Sequence, residues 1–186
     1  NVTDTNGCSN NSNSIIVDAH PNPFADFIVN GVCVNSSTTF INQSSIISDS
    51  IITKIWYLGN GIIRYGDSVT NIYSAIGDYY TKLFVISDFG CKDSTTKLFS
   101  IFGNPIAEFE HIPHSVSTIQ PEMNFINTTM DLVSVSWDMD GDTSGIYLYE
   151  TSDTSQSPYY QFEDPGLYNI TLTVRDANQC IDSIIH

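Results

Sequence analysis

Tyr168, Ile170, Leu172 and Val174 alternate with Asn169, Thr171, Thr173 and Arg175. That period of two predicts a strand with one face in a core and the other in water. Tyr79, Thr81, Leu83 and Val85 form the inward set of a second such strand, opposite Tyr80, Lys82, Phe84 and Ile86. Short runs of Ile, Val, Tyr and Phe, separated by Asn, Asp, Gly and Ser, recur along the chain, and no amphipathic helical pattern interrupts them. Composition points the same way: 24 Ile against 7 Leu and 5 Ala favours β-structure over a helical bundle.

The pattern repeats. Val2-Thr3-Asp4-Thr5-Asn6-Gly7-Cys8 returns as Val85-Ile86-Ser87-Asp88-Phe89-Gly90-Cys91 and as Val174-Arg175-Asp176-Ala177-Asn178-Gln179-Cys180. Phe40-Ile41-Asn42 matches Phe125-Ile126-Asn127, Trp56 matches Trp137, and Pro23-Phe24-Ala25-Asp26-Phe27 matches Pro105-Ile106-Ala107-Glu108-Phe109. Ordered matches at a near-constant offset divide the chain into units of about 82–89 residues. Residues 1–18 read as the last strand region of a preceding unit. Residues 19–103 form one full unit, and residues 104–186 a second whose last strand is cut short. With no initiator Met and no signal peptide, the chain reads as a mature protein or a piece of one. About seven short strands with one central Trp per unit predict an all-β chain of tandem immunoglobulin-like sandwiches. The expected core comprises Trp56, Tyr79, Leu83 and Val85 in the first unit, and Trp137, Tyr168, Leu172 and Val174 in the second.

Charge removes some functions. The 186 residues carry 21 acidic and 6 basic side chains, a net −15. Lys54, Arg64, Lys82, Lys92, Lys97 and Arg175 are scattered, so nucleic-acid binding and attraction to an anionic membrane are both excluded. The longest apolar runs, such as Leu83-Phe84-Val85-Ile86, are far too short for a membrane-spanning helix. Residues 19–103 are near neutral at −1 while residues 104–186 hold −12, so the two units present different surfaces.

Taken together, Trp56-x-Leu58-Gly59-Asn60-Gly61, Tyr73-x3-Gly77-x-Tyr79-x3-Leu83-x-Val85 and Asp88-x-Gly90-Cys91 resemble the polycystic kidney disease (PKD) domain. Trp137, Phe162-x3-Gly166-x-Tyr168-x3-Leu172-x-Val174-x-Asp176 repeat the order in the second unit. The Gly-Cys ending and the Pro-x-Ala-x-Phe joints are similar to tandem arrays in secreted and surface proteins of gliding, polymer-degrading Bacteroidota. The resemblance implies a non-catalytic repeat segment of a long extracellular or cell-surface filament, in the setting of gliding adhesins and type IX secretion. Its implied partners are neighbouring repeats, self-assembled filaments or a surface polysaccharide. The alternative is a spacer or carbohydrate-binding module of a secreted hydrolase. Two departures stand in the second unit: Trp137-Asp138-Met139-Asp140-Gly141-Asp142 replaces the usual Trp-x-Phe-Gly-Asp-Gly, and about eight extra residues lie between Trp137 and Gly166.

Candidate chemistry is sparse. Four cysteines without a Cys-x-x-Cys suggest an oxidising compartment and no zinc site. Cys33, seven residues before Phe40, and Cys91, after the long central strand, are expected to form a disulfide within the first unit. Closing that loop of 58 residues would contribute roughly 4 kcal/mol. The other reading leaves all four as buried thiols. Thr118 holds the place of Cys33 in the second unit, so Cys180 has no partner within its own repeat. Asp138, Asp140 and Asp142 alternate beside Gly141 and suit either a polar turn or a calcium loop; no other cofactor is implied. No metalloprotease, hydrolase-elbow or phosphate-loop motif occurs, and no enzymatic activity is expected. Tyr80, Phe84 and Ile86 mark an apolar outer face on the first unit alone, a candidate interface. By the same resemblance, Ser50, Ser68, Ser94 and Ser183, each following Asp, are candidate glycosylation sites.

Overall fold

A computed structural model describes residues 2–3, 5–10, 18–117, 119–140, 145–149 and 151–186. A two-stranded hairpin of β1 (Val2–Thr3) and β2 (Ser9–Asn10) comes first. The first sandwich stacks a sheet of β3 (Phe27–Asn30), β4 (Ser37–Asn42) and β7 (Ser68–Ile72) on a second sheet. That second sheet has the order β6 (Ile63–Tyr65), β5 (Ile51–Tyr57), β8 (Gly77–Ser87), β9 (Lys92–Ile101). The second sandwich pairs β12 (Leu132–Met139), β15 (Ile170–Asp176) and β16 (Ile181–Ile185) in one sheet. Its other sheet has the order β10 (Phe109–Ile112), β11 (Glu122–Asn127), β14 (Tyr159–Gln161), β13 (Ile146–Leu148). Every strand pairing is antiparallel, and no helix occurs among the described residues. The chain is all-β.

Each sandwich closes around a tryptophan. Trp56 is fully buried between Phe27, edge-on at 5.3 Å, and Phe40 at 6.0 Å. Trp137 repeats this with Phe109 at 5.0 Å and Phe125 at 5.6 Å. Both indoles donate to a backbone carbonyl, Trp56 to Gly66 at 2.9 Å and Trp137 to Ser155 at 2.8 Å, which satisfies the one polar group each ring carries inward. Leu83, Val85, Leu172 and Val174 complete the two cores. Tyr79 and Tyr168 stand half-buried at the sandwich ends, their hydroxyls donating four residues back to Ala75 and Asp164 at 3.0 and 2.7 Å. That hydrogen bond is the tyrosine corner of immunoglobulin-like folds.

The sandwiches diverge after their tryptophans. In the first, Leu58-Gly59-Asn60-Gly61 turns tightly and lays β6 on β5, with Tyr57 opposite Ile63. Gly59 has φ +81°, and a Cβ there would lie 2.8 Å from the Tyr80 carbonyl oxygen, so only glycine fits. In the second, the longer connection carries β13 across to the opposite sheet, where it pairs with β14, and the Asp153 carbonyl takes the Trp137 backbone donor instead.

The relocated strand carries a titration with a clear sign. Burial, assisted by the Asp153 and Asp138 carboxylates, pushes the Tyr147 phenol up to about 12. The unfolded chain ionises this group near pH ~10, so the folded state holds the proton longer and loses stability as pH rises from there. Thermal melts between pH 9 and 12 should show the falling slope, and Tyr147→Phe should lessen it, part of the remainder coming from Tyr73, whose phenol is also pushed up by burial.

Candidate functional site at the joint between the sandwiches

The joint is built by three short segments. Gly31 through Ser36, between β3 and β4, forms a loop that Gly31 (φ +77°) and Asn35 (φ +59°) turn through left-handed conformations. A Cβ on Gly31 would lie 2.6 Å from the Ser37 carbonyl oxygen. Gly31→Ala should therefore cost about 2 kcal/mol and lower the yield of correctly bridged chain, measured by urea melts and a disulfide assay. The loop is held against Phe102, just beyond β9: the Phe102 amide donates to the Val32 carbonyl (2.7 Å) and the Val34 amide to the Phe102 carbonyl (2.9 Å). Cys33 stands between these two bonds, bridged in parallel to Phe102.

Opposite it is the turn between β15 and β16. Asp176 accepts from the backbone of Asn178 (2.9 Å) and Cys180 (2.8 Å), and Gln179 adopts φ +68° to close the turn. Asp182, two residues on, accepts the Ala107 amide at 2.9 Å and ties the turn to the incoming chain. Cys180 is fully buried there, bonded to Cys33 with Cα atoms 5.5 Å apart.

This corrects the expected Cys33–Cys91 pairing. β9 runs ten residues from the turn holding Cys91 to Phe102, roughly 33 Å of strand at about 3.3 Å per residue. Cys33 sits beside Phe102, at the far end of the sandwich from Cys91, whereas a disulfide needs Cα atoms within about 7 Å. Cys33 bonds Cys180 across the joint and Cys91 keeps its thiol.

The other expected sites fall as follows. Asp140, at φ +59°, turns its carboxylate to the backbone and side chain of Asn169 at 3.1 and 3.4 Å. Asp138 lies on the outer face of β12, and Asp142 and Thr118 lie outside the described residues. Among the described residues, no group of three or more His, Cys, Asp or Glu is placed to hold a metal. Ser50, Ser68, Ser94 and Ser183 are all exposed.

On the first sandwich's outer face, Tyr80 is 65% exposed, while Phe84 and Ile86 are half-buried. Phe84 lies between Ile55 and Ser94, and Tyr57 faces Lys82. Tyr65 and Leu98 extend this face, and Tyr57, Tyr65 and Tyr80 are all exposed on it. Tyr57 and Tyr65, on the strands beside β8, thus add to Tyr80 an aromatic surface that the alternation along β8 does not reveal.

A cavity of about 410 Å³ opens at one end of the second sandwich, lined by Phe109, Phe125, Phe162, Leu167, Tyr168 and His186 among others. The counterparts of Phe125, Phe162 and Tyr168 in the first sandwich are Phe40, Tyr73 and Tyr79, and all three pack against Phe99 at 5.4–5.9 Å. In the first sandwich Phe99 fills the corresponding space, and no ligand is assigned to the cavity.

No family model matches the chain, and no curated protein does. Among solved structures, the chain is similar to the PKD1 domain of Vibrio anguillarum Epp, at 23% identity over 45% of this chain and 96% of that one, with a TM-score of 0.42. It is similar also to the PKD1 domain of the Vibrio cholerae metalloprotease PrtV, at 26% identity over 43% and 96% of the two chains (TM-score 0.41). Clostridium thermocellum CbhA fibronectin(III)-like modules match 88% of this chain and 92% of theirs at 13% identity (TM-score 0.44). The β-sandwich architecture is read from the strand pairing and the two cores themselves.

Proposed function

We infer that the chain is a non-catalytic mechanical segment: PKD-like sandwiches in tandem, locked end to end within an extracellular or cell-surface protein. The observation that carries this reading is the Cys33–Cys180 bond, which joins the two sandwiches across a sequence separation of 147 residues. A bond within one sandwich would protect that core alone; a bond across the joint fixes how one unit stands on the next. Such a lock suits a spacer that holds a terminal region at a distance. Disulfides of this kind persist in oxidising surroundings, outside the cytosol. A low content of charge with 56 Ser, Thr and Asn residues gives a hydrated exterior, on which the four exposed Asp-Ser sites offer positions for glycans.

Antibodies raised against this chain test the reading on intact cells of the source organism. Surface labelling without permeabilisation is the expected result; labelling only after permeabilisation would reject it. A second reading is favoured by the exposed Tyr57, Tyr65 and Tyr80, since aromatic faces stack on sugar rings. It makes the segment a polysaccharide-binding module. Retention on an insoluble polysaccharide that is lost in a Tyr57→Ala, Tyr80→Ala variant would support this second reading over the first.

A further inference from the structure

We propose that Cys91 is the receiving half of a second bridge of the same kind, to a cysteine held by a preceding sandwich in the loop position that Cys33 occupies. This rests on the tandem-spacer reading and adds the partner of its first joint. Cys91 and Cys180 occupy the same turn. Ser87 stands where Asp176 does, with its hydroxyl accepting the Cys91 amide at 3.1 Å as the Asp176 carboxylate accepts that of Cys180. Gly90 (φ +81°) precedes Cys91 as Gln179 (φ +68°) precedes Cys180. Two residues beyond each cysteine a carboxylate latches the incoming chain: Asp93 accepts the Ala25 amide at 2.7 Å, and Asp182 the Ala107 amide at 2.9 Å.

The chain that enters each sandwich is equivalent as well. Phe102, three residues before Pro105, carries the Cys33 loop on its backbone and so brings Cys33 to Cys180. His20, three residues before Pro23, holds that place in the first unit, and its carbonyl lies 4.0 Å from the Cys91 sulfur. Its ring is fixed by stacking on Phe89 at 3.4 Å and by Asp49 at 3.3 Å. A loop like that of Cys33, paired to the backbone at His20, would bring its cysteine to Cys91. One copy of this turn carries a bonded cysteine, and the Cys91 thiol in the other holds the same receiving position. The first unit then both gives a bridge, through Cys33, and receives one, through Cys91. The second receives through Cys180 but has Thr118 in the giving position.

The chemistry is thiol–disulfide exchange. The partner cysteine is first held as a mixed disulfide with an oxidised dithiol or glutathione donor. The Cys91 thiolate attacks the partner's sulfur, the new S–S bond forms, and the donor leaves as a thiol carrying both electrons.

The test duplicates residues 19–103 in place within the full chain, with Cys91→Ser in the first copy, and refolds it with oxidised glutathione. Alkylation followed by non-reducing peptide mapping should show a Cys33–Cys91 link together with a Cys33–Cys180 link, at monomer mass. Cys91 alkylation should fall at least tenfold relative to the unduplicated chain. Cys33→Ser in the first copy should restore it. Cys91 recovered as thiol, as a glutathione adduct or in a chain-to-chain dimer, while Cys33–Cys180 forms, overturns the inference and leaves the spacer reading standing. Loss of Cys33–Cys180 from the unduplicated chain overturns both. The same map on protein isolated from its source is an independent arm. There Cys91 must be linked to a cysteine other than Cys8, Cys33 or Cys180, and a free thiol overturns the proposal whether or not the duplicated chain folds.

Discussion

Pulled from its two ends, the oxidised chain should lengthen by no more than roughly 130 Å, because only residues 1–32 and 181–186 lie outside the bridge, at about 3.4 Å per extended residue. The remaining 147 residues of separation, roughly 500 Å of contour, stay hidden behind the Cys33–Cys180 bond whatever happens to the cores. Reductant, or Cys180→Ser, should release that length in two steps, one for each core. Single-molecule force spectroscopy reads the difference directly. The effect is large because force follows the covalent path: tension entering at the N-terminus crosses from Cys33 to Cys180 and bypasses β4 through β15. Equal extension with and without reductant would mean that the bond does not carry the load.

The second large effect concerns the cores. Trp56→Ala should cost about 3–5 kcal/mol, through the lost burial, the cavity left between Phe27 and Phe40, and the orphaned Gly66 carbonyl. On a stability scale of about 5–15 kcal/mol, that is enough to shift one sandwich far down in denaturant. Trp137 then becomes the sole tryptophan and reports the second sandwich alone. Its fluorescence transition should stay in place while the circular dichroism of the strands shows an earlier phase. A single transition moved as a whole would show that the two cores unfold as one.

Periodicity and repetition made the architecture legible. Strict alternation around Leu83 and Leu172 set the inward faces of β8 and β15, because a one-residue slip would have put every apolar side chain in water. The same alternation surrounds each tryptophan with apolar neighbours: Trp56 stands between Phe27 and Phe40, and Trp137 between Phe109 and Phe125.

The joint was not legible, for a physical reason. Pairing Cys33 with Cys91 leaves Cys180 without a partner, and pairing Cys33 with Cys180 leaves Cys91 without one, so counting cannot choose between them. The choice depends on which end of the sandwich each cysteine occupies, which is set by the Gly31–Asn35 loop folding back onto Phe102. One signal could have been used: Gly31 and Asn35, residues that suit left-handed backbone, bracket Cys33 and mark a turn that reverses towards the joint. The aromatic surface was missed because its members come from β5, β6 and β8, and only lateral pairing brings Tyr57, Tyr65 and Tyr80 to one face. The crossing of β13 to the other sheet was foreshadowed only as extra length after Trp137.

The central claim is that a covalent bond joins one sandwich to the next. Non-reducing peptide mapping of the alkylated 186-residue chain tests it most directly. The account requires one linked pair containing Cys33 and Cys180, with Cys91 alkylated. A Cys33–Cys91 pair, or alkylation of both Cys33 and Cys180, would contradict it.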